Sequence, residues 1–167
     1  MKLRLTILLM LLALGAGCTV LPPEPPRATT TAPESSQLPR EALNPDVRQE
    51  TIQQTICVAG YAASVRPSTS FTNGVKAKLL REQQQPASSA ADCELDHRVP
   101  LALGGHPRNL TNLALQMWQG SDGSISKDRL ERRLHRLVCA DKVLLREAQH
   151  AMYFDWKSAE AWSAGRK

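Results

Sequence analysis

Six of the eleven prolines fall between Val20 and Leu43: Pro22, Pro23, Pro25, Pro26, Pro33 and Pro39. They divide the chain before any other folding argument begins. Proline fixes φ and lacks a backbone donor, so a stretch this rich in it builds neither a helix interior nor a sheet. Thr, Ser and Ala fill much of the rest, too little apolar surface to offset the entropy of ordering it. Residues 19–43 therefore read as a tether, partly polyproline II and partly disordered. Packing is expected to begin near Asn44, and residues 44–165 suffice for one domain with one core.

Upstream, Lys2 and Arg4 flank the start of an uncharged apolar run, Leu5 to Leu14. Its length suits the apolar region of a signal peptide and is short for a membrane span. Small residues then lead into a cysteine, Leu14-Gly15-Ala16-Gly17-Cys18. This ending resembles a bacterial lipobox, although Gly15 stands where the pattern has leucine. The resemblance implies a signal peptide over residues 1–18, an acylated Cys18 and a lipid anchor in the membrane. Thr19, in place of Asp, implies sorting toward the outer membrane. An ordinary cleaved leader, with a periplasmic or secreted product, is the alternative.

The formal charge is +5, and Lys2 and Arg4 leave with the leader, so the mature chain is mildly basic. That permits nucleic acid or anionic lipid as a partner and requires neither. With Cys18 assigned to lipid, Cys57, Cys93 and Cys139 remain, and outside the cytoplasm two of them can pair. Cys57 and Cys139 lie in apolar settings near the ends of expected helices, which makes them the expected pair. Spacing alone leaves the connectivity open.

Asn44-Pro45-Asp46 is a helix-start pattern. Val47, Ile52, Ile56 and Ala59 suggest one apolar face of a helix that Gly60 ends. A second helix is expected over 73–84. Short extended segments are expected over 93–101 and 109–117, with a turn at Gly104-Gly105. The clearest element is a helix capped by Ser126, with Leu130, Leu134, Leu137 and Val138 at helical spacing. Arg129, Arg132, Arg133 and Arg136 form a basic stripe on it. A fourth helix is expected over 144–156. The fold class is α+β, mostly helical, around a small hairpin.

Residues 94–116 read Glu-Leu-Asp-His-Arg-Val-Pro-Leu-Ala-Leu-Gly-Gly-His-Pro-Arg-Asn-Leu-Thr-Asn-Leu-Ala-Leu-Gln. A histidine titrates near neutral pH and can take a proton from water. A carboxylate beside it can hold a hard cation against a phosphate oxygen. The segment resembles the HNH, or ββα-metal (His-Me finger), nuclease family. An Asp-His pair ends a first strand, a Pro-Leu and Gly-Gly loop follows, then Asn-Leu enters a second strand, then a helix. The resemblance covers about 93–138.

It implies a ββα-metal core and a metal-dependent endonuclease that hydrolyses phosphodiester bonds of DNA or RNA. His97 would be the general base and Asp96 a ligand to Mg²⁺ or Mn²⁺. Asn112 would fix the loop, with Asn109 as the competing register. The family places a last His or Asn at the start of the final helix, where this chain has Gly123-Ser124-Ile125-Ser126. Asp128 is expected to substitute, ahead of Glu131 and Asp122. Lys127, Arg129, Arg132, Arg133 and Arg136 are the expected nucleic-acid contacts if their surface lines the site, and otherwise a solvated helix face. His106, His135 and His150 are expected to be structural or on the surface, and Trp118 and Trp156 in the core. The alternative function is a non-catalytic envelope lipoprotein that binds nucleic acid or another anionic partner on the same scaffold.

Overall fold

The computed structural model describes residues 37–120 and 123–166. The leader, Cys18, the tether up to residue 36, and Asp122 lie outside the described residues. The architecture is α+β. Two strands, β1 (Cys93–His97) and β2 (Leu113–Met117), pair antiparallel with Cys93 opposite Met117 and His97 opposite Leu113. The helices are α1 (Tyr61–Ser64), α2 (Thr69–Glu82), α3 (Ser124–Cys139), α4 (Leu145–Phe154) and α5 (Trp156–Ala164). No described helix is long and apolar enough to cross a membrane.

Several boundaries differ from the sequence expectation. The segment after Asn44 forms only a 3-10 stretch, Gln49–Gln54. Its threonines bond back to the main chain, Thr51 Oγ1 to Asp46 O at 2.8 Å and Thr55 Oγ1 to Thr51 O at 2.7 Å. Such bonds and β-branched side chains compete with a regular α-helix. Helix α2 starts earlier than expected because the Ser68 hydroxyl accepts from Phe71 N. Helix α3 starts at Ser124 behind Gly123, not behind Ser126. The last expected helix breaks at Asp155 (φ −156°, ψ 75°), whose carboxylate accepts from Ser158 N and caps α5.

The end of the expected tether is also folded. Ala42 is fully buried, Leu43 bridges Gly105, and His106 N donates to Ala42 O at 2.8 Å. Composition averaged over residues 19–43 hides this short apolar end, which finds backbone partners on the loop after Gly104.

The core gathers around α3. Leu130, Leu134 and Val138 are buried with Met152 and Ala148 of α4 and with Val99 and Leu103 from the hairpin loop. The disulfide joins Cys57 to Cys139 across 82 residues and ties the N-terminal segment to the end of α3. Cys93 is buried and free. Trp156 packs against the core, but Trp118 stands 42% exposed just beyond β2, contrary to expectation.

Candidate active site

The loop from Arg98 to Asn112 decides how His97 is presented. Asn112 is fully buried at the end of this loop. Its Oδ1 accepts from Val99 N at 2.8 Å, and its Nδ2 donates to Val99 O at 3.0 Å and to His106 O at 3.1 Å. One amide thus holds both ends of the loop. Asn109 has a local task instead, accepting from Thr111 N to start the 3-10 turn Leu110–Asn112. Gly105 permits the closure. A β-carbon there would lie 1.8 Å from Val99 O and 2.6 Å from Asn112 Nδ2. His106 is a loop brace, its Nδ1 accepting from Arg108 N and Asn109 N.

His97 is 6% exposed, and its Nε2 lies 3.0 Å from Pro107 O. A carbonyl only accepts, so Nε2 carries the hydrogen and Nδ1 is the basic nitrogen of the neutral ring. Burial holds the imidazole below its ordinary pKa, and the Pro107 bond and the Asp96 carboxylate only partly oppose this. His97 lines a cleft of about 320 Å³ with Glu94, Asn73, Thr72, Trp118 and Arg66. Arg66 is exposed there, and its charge acts on both His97 and Glu131.

Asp96 is committed elsewhere. Its Oδ1 accepts from His97 N at 2.7 Å, and its Oδ2 accepts from Lys127 Nζ. Lys127 is 4% exposed and donates also to His97 O at 2.7 Å. The expected surface contact is therefore an ion pair with a buried ammonium and a half-buried carboxylate, joining α3 to the end of β1. The pattern contained the signal, because Lys127 shares its helical stripe with Leu130 and Leu134. Asp96 and Lys127 line a second cleft, of about 540 Å³, with Arg98, Gln116 and Tyr153.

Two further carboxyls stand near this pair. Burial, then the Asp96 charge, pushes Glu131 up to about 7, with Lys127 opposing. Burial and Asp96 also raise Glu94, against a hydrogen bond from Ser124. Asp128 is exposed and lines neither cleft.

No protein-family model, curated protein or solved structure matches this chain.

The arginine stripe lies away from both clefts. Arg129, Arg132 and Arg136 are exposed, and Arg133 reaches the Glu160 carbonyl and the Ser163 hydroxyl of α5. Arg66 is the cation that sequence reasoning missed. It stands in an irregular segment before Pro67, where no periodic pattern marks it.

The donors do not suit the Mg²⁺ that the resemblance implies. A hard cation needs several convergent oxygens, and both Asp96 oxygens already accept hydrogen bonds. Among the described residues no three His, Cys, Asp or Glu side chains converge on a common point.

Proposed function

We propose that this protein is an exported hydrolase of phosphodiester bonds in DNA or RNA, built on an HNH-like hairpin and helix. The observation that carries this reading is the bond between His97 Nε2 and Pro107 O. It leaves Nδ1 as the proton acceptor of a histidine whose ring is neutral at pH 7 and lines a polar cleft. The Asn112 clamp and the small hairpin followed by α3 support the same reading.

In the reaction, water attacks phosphorus and passes its proton to His97 Nδ1, and the leaving oxygen takes a proton from solvent as its bond to phosphorus breaks. The Asp96 charge and the Pro107 carbonyl both favour the imidazolium that forms. Arg66 contacts the phosphate oxygens from the cleft mouth. The expected leader, acylated Cys18 and tether support a location outside the cytoplasm, at the outer membrane, in the periplasm or as a secreted product. The Cys57–Cys139 disulfide supports that location, because such bonds persist in oxidising compartments.

The test is nicking of supercoiled plasmid and cleavage of RNA by the purified protein and by His97→Ala. Activity is expected in the wild type and not in the variant. A wild type that is inert on both substrates under every ionic condition sinks the proposal.

The engaged Asp96 favours one second reading, a non-catalytic binder of nucleic acid on this scaffold. It expects salt-sensitive binding that is unchanged in His97→Ala.

A further inference from the structure

We propose that the Lys127 ammonium takes the place of a divalent cation against Asp96, so that the site works without metal. This rests on the hydrolase reading above. It reverses the cofactor that the sequence resemblance implies.

Three observations carry it. Each Asp96 oxygen accepts a hydrogen bond from this chain, Oδ1 from the His97 amide and Oδ2 from Lys127. Lys127 is itself built in, at 4% exposure, with a second acceptor in His97 O. A metal ion on Asp96 Oδ2 would displace the ammonium from that oxygen and leave a buried cation without its counter-charge, which proteins avoid. Finally, the other ligand expected from the sequence, Asp128, is exposed outside both clefts.

Lys127 acts through its neighbours and is a positioning residue. It grips the Asp96 carboxylate and the His97 carbonyl together, which sets the end of β1 and compensates the acid beside the base. A lysine belongs to the chain and needs no loading from the medium. Outside a cell, where free metal varies, such a site would be active on release.

The deciding experiment is Mn²⁺ titration of the full chain, followed by electron paramagnetic resonance. The wild type is expected to take up no stoichiometric Mn²⁺, and Asp96→Asn to behave the same. One tight site in the wild type that Asp96→Asn abolishes would overturn the proposal. Both measurements on the wild type stand without any variant that fails to fold.

The second arm is plasmid nicking in excess EDTA. Activity is expected to stay within about twofold of its value in Mg²⁺, and a loss beyond about tenfold that Mg²⁺ restores overturns the proposal. Lys127→Met is expected to lower activity by at least about tenfold and Lys127→Arg to recover most of it, in EDTA as in Mg²⁺. If the wild type cuts no nucleic acid at all, the hydrolase reading falls, and the Mn²⁺ titration still decides what occupies Asp96.

Discussion

His97 Nε2 and the carbonyl oxygen of Pro107 lie 3.0 Å apart, and this bond selects the ring nitrogen that can act as a base. Removing the ring removes the base. His97→Ala is expected to lower phosphodiester cleavage about 10²- to 10⁴-fold, the usual range for general-base catalysis. The far-ultraviolet circular dichroism should match the wild type, with stability lower by about 1–3 kcal/mol for the unpaired Pro107 carbonyl. Undiminished cleavage in this variant would exclude His97 as the base.

The pH dependence follows from two buried groups that act in opposite directions. Burial holds His97 below 6.5, so the base is free at neutral pH and the rate should fall only as pH drops through that lower value. Its stability effect has the same sense. The unfolded histidine binds protons near 6.5 and the folded one does not, so stability falls as pH drops below 6.5.

Glu131 is raised to about 7 and behaves in reverse. The folded form keeps a proton that the unfolded form has lost, so its contribution is complete below 4.5 and is lost as pH rises through 7. Glu131→Gln should remove this loss and stabilise the protein above pH 7, by no more than about 3 kcal/mol. Thermal melts of both proteins from pH 4 to 9 measure the difference, and parallel curves would exclude this account.

Asn112 and Gly105 close one loop, and both are expected to be intolerant of change. Asn112→Ala loses three buried hydrogen bonds and should cost about 2–4 kcal/mol. Gly105→Ala sets a methyl group against the Val99 carbonyl and should cost at least about 2 kcal/mol. Urea unfolding checks both. A Gly105→Ala protein of wild-type stability would mean that the loop closes differently.

Arg66 and the α3 arginines should separate in kinetics. Arg66→Ala, at the His97 cleft, is expected to lower kcat/KM about 10- to 100-fold. Changing Arg129, Arg132 and Arg136 together to Ala should leave kcat near the wild-type value and reduce only the salt dependence of binding. The opposite ranking would move the substrate path onto α3.

The Cys57–Cys139 disulfide closes a long loop, so Cys57→Ser is expected to cost about 2–5 kcal/mol. Reduction of the wild type by dithiothreitol should lower its melting temperature to that of the variant. Equal melting temperatures with and without reductant would show that the bridge adds nothing.

The sequence was most legible where the rules are local. The leucine spacing of α3 placed its core face, because apolar residues recurring at helical intervals can be buried together only along one side. The apolar settings of Cys57 and Cys139 made them the expected pair, and the structure joins them, although the helix expected before Cys57 is only a 3-10 stretch. The boundary at Leu43 was illegible, because six prolines dominate the composition around one short segment that docks on a loop 62 residues away. Trp118 looked like a core residue because its size favours burial, yet it lies beyond the last rung of the hairpin, where no described element covers it.

From the amino-acid order alone came the α+β class, the helical faces and the residue types able to do acid–base chemistry. Patterns of this kind are set by backbone geometry within a few residues. Which charges meet was decided only by packing. Asp96 and Lys127 are 31 residues apart in sequence, and their pairing exists because α3 docks against the end of β1 and excludes water around the ammonium. A charge removed from water must find a partner wherever the chain has brought one, and no local pattern specifies that partner.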